Sequence, residues 1–336
     1  MTQTPSTVVF VSLTGDEEIK AYDLDPSSGA LRLRTTNPAH GPSGALFLHP
    51  TLDVLFDAHV ESTTLASFRL DKTTGQVTLL NNVDTGIGIP AHSVTDSQGR
   101  YLLTAYYGGG GITVHRLGED GSIGEQIQHV QTGPKAHAVH ISPDDRFVIV
   151  PHVCPTNKTS QFRFDTETGL LTENEPAVLL PPDDDTGPRH ICFRPAGDVA
   201  YIINEQGKTI SAHRYDADTG TLERFQHLST LPEGWEQEGG STAHVEVHPN
   251  GRWAYGSNRG HDSIVGFNIA DDGSLTPFGH YPVPASPRSF NIDPSGRFLY
   301  CAGEAADRMK CFRVDPNSGA LEAFDEIDVG NKPFWV

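Results

Sequence analysis

Residues 187–205 read GPRHICFRPAGDVAYIINE, a pattern that predicts two antiparallel strands joined by a tight turn. The first strand starts at Pro188-Arg189-His190, the segment Pro195-Ala196-Gly197-Asp198 turns the chain, and residues 199–203 return it to Asn204-Glu205. Residues just before the first strand of a hairpin and just after the second are neighbours on one edge. Arg189, His190 and Glu205 are therefore expected to crowd together although 15 or 16 positions separate them. A guanidinium, an imidazole and a carboxylate at one spot are raw material for acid–base chemistry.

The chain repeats this hairpin. An acidic or polar turn followed by glycine and a short apolar run recurs as DPSSGAL, DKTTGQV, GEDGSI, DTETGLL, DADTGTL, ADDGSL and DPNSGAL. The glycines are Gly29, Gly75, Gly121, Gly169, Gly220, Gly273 and Gly319, spaced by 46, 46, 48, 51, 53 and 46 residues. A second turn phrase appears as HPTLD, DSQGR, SPDDR, RPAGD, HPNGR and DPSGR, six times and not seven. Between the phrases lie short runs rich in β-branched and aromatic residues, such as 101–105, 147–150 and 298–301. No segment of ten or more residues holds a helical period. Seven such units, each with four short strands, describe an all-β chain: a seven-bladed β-propeller with four-stranded antiparallel blades.

The missing seventh turn shows where the ring is cut. Residues 8–12 resemble a second strand without a first, and Lys332-Pro333-Phe334-Trp335-Val336 resembles the inner-strand openings at Pro90 and Pro287. The last residues are thus expected to supply the innermost strand of the N-terminal blade, closing the ring and removing its open edges. Two connections are longer than the rest, 181–187 (PPDDDTG) and 231–241 (LPEGWEQEGGS). Both read as surface loops, which makes residues 1–336 one domain.

Composition narrows the function. A net charge of −19 argues against nucleic acid or an anionic membrane surface as partner, since both favour a basic face. The opening MTQTPSTVVFVSL has no basic region leading into a long apolar run, and no stretch of about 18 apolar residues follows. Cys154, Cys192, Cys301 and Cys311 are few and irregularly spaced, a pattern that fits free thiols in a reducing cytoplasm. Neither His-Glu-x-x-His nor Gly-x-Ser-x-Gly occurs, and no tryptophan is followed by aspartate as in interaction propellers.

Aligning the inner strands gives a column: Gly44, His92, His137, His190, His244, Ser289 and Trp335. With 16 histidines in 336 residues, four consecutive blades with His in one column depart from chance. Arg189 and Arg288 stand one position earlier in blades five and seven. The ends of the second strands form another column: His59, Tyr106-Tyr107, His152, Asn204-Glu205, Asn258-Arg259 and Gly303-Glu304. Both columns open on one face of the ring. A bland explanation is that blades repeat by descent and the imidazoles hydrogen-bond between blades. It suits His92 and His244 better than the set of His137, Arg189, Glu205 and Arg288. Two arginines aimed into one channel repel unless an anion, bound or covalent, lies between them, so the face favours a carboxylate or phosphate ligand. Asp183 to Asp185 read as a solvated loop, and Gly108 to Gly111 as a strand connection with no helix behind it to bind phosphate.

These phrases resemble the seven-bladed propeller lactonases, a family that includes 6-phosphogluconolactonase-type enzymes and carboxymuconate lactonizing enzymes. The resemblance spans the chain and rests on HAVHISPD (137–144), GPRH (187–190), Asn204-Glu205, PRSFN (287–291) and the terminal Val329-Gly330 with Pro333 to Val336. It implies catalytic roles for His137, Arg189, Glu205 and Arg288, with Glu205 or His137 as the base. It implies no metal and no cofactor. The column residues His92, His190, His244, His152, Tyr106, Asn204, Arg259 and Trp335 are the candidate substrate contacts. Hydrolysis of a sugar-acid lactone, 6-phosphogluconolactone first, is the expected activity in the cytoplasm, with a small anionic lactone as the substrate and neither nucleic acid nor membrane as partner. The alternatives are a cycloisomerase that closes a lactone without water, and a non-catalytic ligand-binding or scaffolding propeller.

Overall fold

A strand covered on both faces needs apolar residues at every position, whereas one covered on a single face alternates. The second strand of nearly every blade is of the first kind: Tyr101–Tyr106, Phe147–His152, Val199–Asn204 and Phe298–Gly303 are buried along their whole length. Each extends the apolar run legible in the sequence by one or two residues. Outermost strands such as Leu31–Pro38 are largely exposed or half-buried. In this computed structural model, which describes residues 7–235 and 239–336, the strands form seven separate four-stranded antiparallel sheets, and the described residues contain no helix. First strands of neighbouring blades touch one another at six of the seven seams, which places them innermost.

The core lies between blades. Tyr101, Leu103 and Val114 of the third blade pack on Val148, Val150 and Phe162 of the fourth. The seventh blade's Phe298, Tyr300 and Met309 pack on Val11, Leu13 and Tyr22 of the first. At four such seams a buried ring hydroxyl, that of Tyr101, Tyr201, Tyr255 or Tyr300, finds an acceptor in the next blade's outer turn. Tyr255 donates to Gly319 O at 2.6 Å and Tyr300 to Gly29 O at 2.8 Å. Gly319 shows why the turn phrase keeps its glycine. Its φ is +73°, and a Cβ built there would lie 2.5 Å from the Trp253 ring of the preceding blade. The turn is thus a spacer between blades as well as a reversal of the chain.

Ring closure follows the six-of-seven count. The innermost strand of the first blade is Pro333–Trp335, and it pairs antiparallel with Val8–Leu13, with Ser12 opposite Trp335 and Leu13 opposite Pro333. Phe334 packs against Ala45 and Val60 of the second blade, and Val336 joins the seam with the seventh. The last residues therefore touch both neighbours of the blade they complete. The loop 181–187 is exposed over Pro182 to Asp185 and tied down by Asn157 Nδ2, which donates to the carbonyls of Asp183 and Asp184. Gly108 to Gly111 join two strands of the third blade. Residues 236–238 of the other long connection, and residues 1–6 of the N-terminal segment in which no leader was read, lie outside the described residues.

Deleting residues 332–336 leaves Val8–Leu13 as an unpaired inner edge and removes two aromatic side chains. The expected loss is about 3–5 kcal/mol, or at least about 4 °C in melting temperature for a chain of this size. A truncated protein that melts within a degree of the full chain would show that the ring is not closed by this strand.

Candidate active site

The mouth of the channel is built from inner-strand starts and second-strand ends. In the fifth blade the strands Pro188–Phe193 and Val199–Asn204 pair with Pro188 opposite Asn204, and the register slips between Pro188 and His190. That irregularity frees Arg189 from the regular ladder. Its Nε donates to Glu205 Oε2 at 2.8 Å, the contact expected from the hairpin. Turning the chain into the channel requires left-handed backbone just before several inner strands. Non-glycine residues accept this at Ile89 (φ +57°), Ser286 (φ +59°) and Lys332 (φ +53°), each directly before a proline. Strained positions of this kind concentrate where a site is held in shape.

Inside the mouth lies a cavity of about 280 Å³. Its charged lining is Arg189, Arg259, Arg288 and Lys332 against Glu61, Glu205 and Glu304, a surplus of cations in a protein of net charge −19. Glu205 Oε2 sits between two guanidiniums, accepting from Arg189 Nε and facing Arg259 Nη2 at 3.2 Å, while its Oε1 accepts from Gln206 Nε2 at 3.1 Å. Arg288 repeats the arrangement in the seventh blade. Its Nη1 donates to Glu304 Oε2 at 3.2 Å, and its guanidinium lies 4.3 Å from the centre of the Phe334 ring. Part of the anion that the arginines demand is thus supplied by the protein itself. Arg189 is almost wholly buried; burial and Arg259 lower its pKa while Glu205 opposes them, and the guanidinium keeps its charge from its very high starting point.

His137 faces this array. Its Nε2 is 4.0 Å from Glu205 Oε2, and its ring meets the edge of Tyr107 at 5.5 Å between centroids. Burial, then Arg189, Arg288 and Arg259, hold its pKa well below the usual imidazole range, so the ring is neutral at pH 7 and can take a proton. Nδ1 of His137, Nε of Arg259 and Nε of Arg288 are buried without a hydrogen-bond partner among the described residues. Folded proteins leave few polar atoms in that state, and three in one cavity mark a place where stability is not the only constraint.

Of the residues singled out from the sequence, His137, Arg189, His190, Glu205, Arg259, Arg288 and Trp335 line the cavity. Five others do not, and strand pleating or depth explains each. Tyr106 is fully buried with its hydroxyl 3.0 Å from that of Thr113, and the next residue, Tyr107, faces the cavity instead. Asn204 turns the opposite way from its neighbour Glu205 and donates to the hydroxyls of Thr209 and Ser211. His152 is locked between Thr132 Oγ1 (2.7 Å) and Val150 O (2.9 Å). His92 packs below the cavity on Phe47, His140 and Trp335. His244 lies at the same depth, bonded to His190 and Glu246. Glu304 and Lys332 line the cavity too, although Glu304 enters the sequence reading only as the end of the second-strand column and neither is among the candidate site residues. Glu304 had a signal, since the Arg288–Glu304 separation of 16 residues copies that of Arg189–Glu205.

No group of three or more His, Cys, Asp or Glu side chains among the described residues is arranged to hold a metal ion, and no helix there is long and apolar enough to cross a membrane. Comparison with known proteins agrees with this architecture. The chain is 31% identical over 334 residues to a 6-phosphogluconolactonase of Pectobacterium carotovorum, covering 98% of this chain and 97% of that one. It is 29% identical over 332 residues to the Serratia proteamaculans protein of the same name, covering 98% of each. Among solved structures, the periplasmic gluconolactonase of Pseudomonas aeruginosa superposes with a TM-score of 0.87 at 25% identity, over 97% of this chain and 96% of that one. A Bacteroides fragilis structure with a TM-score of 0.90 at 23% identity, over 100% of this chain and 98% of that one, shares the fold. The family described as "Lactonase, 7-bladed beta-propeller" matches residues 7–336, and the chain belongs to it.

Proposed function

We propose that this protein hydrolyses the lactone of a phosphorylated sugar acid, with 6-phosphogluconolactone as substrate. The observation that carries the reading is the cation-rich cavity in which a neutral imidazole with an open nitrogen, His137 Nε2, stands 4.0 Å from a carboxylate fixed between two arginines. The cavity is at the small end of the roughly 300–1,000 Å³ typical of ligand sites, a size that suits one monosaccharide. Curated relatives carrying the name 6-phosphogluconolactonase support the choice of substrate.

The 4.0 Å gap is too long for a direct hydrogen bond and fits a water that donates to both His137 Nε2 and Glu205 Oε2. That water attacks the lactone carbonyl carbon as His137 takes its proton. Negative charge gathers on the carbonyl oxygen and is stabilised by Arg189 and Arg259, and Glu205 steadies the imidazolium as it forms. Collapse of the tetrahedral intermediate breaks the bond from the carbonyl carbon to the ring oxygen. That oxygen takes the proton back from His137, leaving a hydroxyl and a carboxylic acid that ionises. Arg288 and Lys332 remain for the distal phosphate. The four cysteines are unpaired thiols, which favours a reducing compartment and the cytoplasm for this chain, although the P. aeruginosa relative is periplasmic.

Side-by-side assays of purified protein on 6-phosphogluconolactone, gluconolactone and carboxymuconate test the reading. Hydrolysis of the phosphorylated lactone with the highest kcat/KM is expected; turnover of carboxymuconate alone would make the protein a cycloisomerase. His137→Gln should lower kcat by about 10²–10⁴-fold, the usual loss of a general base. Glu205→Gln keeps the shape but not the charge that unites Arg189 and Arg259, and should cost about 10²-fold. Near wild-type turnover in folded Glu205→Gln would remove Glu205 from the mechanism. A base must be unprotonated to act, and the His137 pKa lies below the ordinary value of about 6.5. The kcat/KM profile should therefore stay level from pH 8 to about 6.5 and fall only at lower pH. An acid limb centred near pH 7 would contradict this placement. The arginines around the cavity oppose a cation, so exhaustive chelation should leave kcat unchanged; loss restored by one divalent ion would overturn that expectation.

A further inference from the structure

Below the cavity a line of hydrogen bonds crosses three blades. Arg189 Nη1 lies 3.2 Å from His190 Nε2, and His190 Nδ1 lies 2.8 Å from His244 Nδ1. His244 Nε2 lies 3.2 Å from Glu246 Oε1, and Glu246 Oε2 accepts from the backbone N–H of Ile292 in the seventh blade at 3.0 Å. Donor and acceptor rules fix every proton along this line. A guanidinium can only donate, so His190 Nε2 must be bare and its proton sits on Nδ1. That proton faces His244 Nδ1, which must be bare in turn, so the His244 proton sits on Nε2 and points at Glu246. Glu246 accepts at both oxygens, a duty that only a carboxylate performs without leaving two donors face to face.

We propose that Glu246, His244 and His190 are positioning residues for Arg189, a relay of fixed tautomers that presents a bare imidazole nitrogen to the guanidinium and aims it at the substrate. Arg189 is then gripped at Nε by Glu205 and at Nη1 by His190 and the Ala243 carbonyl. Nη2 is left as the nitrogen for which the described residues offer no acceptor, and it is the one available to a ligand oxygen. His190 accepts this geometry because burial, and next Arg189, keep its pKa well below the imidazole range; a protonated His190 would turn an N–H toward the guanidinium. His244 is wedged between the rings of Phe290 and Trp335, with centroids 5.1 and 5.2 Å away. The relay therefore cannot swing aside without disturbing the closure strand. Glu246 is too far down the channel to meet substrate, being absent from the cavity lining. The inference rests on the lactonase reading for its kinetic test but not for its spectroscopic one.

Glu246→Gln is the informative change. Its amide brings one donor and one acceptor where two acceptors are needed, so either the Ile292 N–H loses its partner or both histidines reverse tautomer and set an N–H against Arg189. His244→Phe is the second variant, keeping a ring between Phe290 and Trp335 while cutting the line. Long-range ¹⁵N–¹H spectra of histidine-labelled wild type should show the proton of His190 on Nδ1 and that of His244 on Nε2. Any other pair of tautomers overturns the proposal whether or not the protein hydrolyses lactones. If the tautomers are as stated but wild type turns over no lactone, the relay stands and the functional reading falls. With activity in hand, each variant should lower kcat/KM for 6-phosphogluconolactone by about 10–100-fold, as loss of an orienting partner does, with little change in melting temperature. In an Arg189→Lys background the same changes should cost less than twofold, because the residue they position is gone. Undiminished kcat/KM in either folded variant, or an equal loss on top of Arg189→Lys, would overturn the proposal.

Discussion

Pairing of the last three-residue strand with the first strand of the chain is the contact on which the rest of this structure depends. A propeller blade has two edges, and the inner one would stand open in the first blade if Pro333–Trp335 did not cover Val8–Leu13. Two of those three residues, Phe334 and Trp335, also line the cavity. Phe334 lies beneath the Arg288 guanidinium, and Trp335 meets His92, His190 and His244 at ring distances of 5.9, 5.9 and 5.2 Å. Closing the ring and laying the floor of the cavity are one event. Pairing of the first and last described strands thus couples global stability to the position of the cavity's side chains.

The second constraint is electrostatic. Three guanidiniums in a confined space repel one another by several kcal/mol at an effective dielectric near 20. Glu205 and Glu304 relieve that repulsion without abolishing the positive surplus. The arginines are therefore arranged before any ligand arrives, which is what stabilising a developing oxyanion requires. Net charge matters here as well, since a locally positive mouth on a protein of charge −19 is the one part of the described channel whose field favours an anion.

Much of this was legible in the sequence because it depends on period and turn chemistry. Seven turn glycines and six second turns fix blade number and the position of the cut, and a hairpin sixteen residues around brings Arg189 to Glu205. Side-chain direction was harder to read. At the end of a strand one residue faces the channel and its neighbour faces the seam: Tyr107 and the expected Glu205 reach the cavity, while Tyr106 and Asn204, also candidate contacts by sequence, turn away. Depth was invisible too. His92, His190 and His244 share one column, yet of these three only His190 lines the cavity, and the line from His190 to Glu246 needs partners from two other blades.

In the proposed mechanism the arginine pair joined by Glu205 receives the oxygens of the reacting carbonyl beside His137. A crystal structure of the protein with 6-phosphogluconate, the product, tests it most directly. The C1 carboxylate is expected within hydrogen-bonding distance of Arg189 Nη2 and Arg259, close to His137 Nε2, with the phosphate toward Arg288 and Lys332. Product bound with its phosphate on Arg189 and Arg259 and its carboxylate remote from His137, or bound at the opposite mouth of the channel, would contradict it.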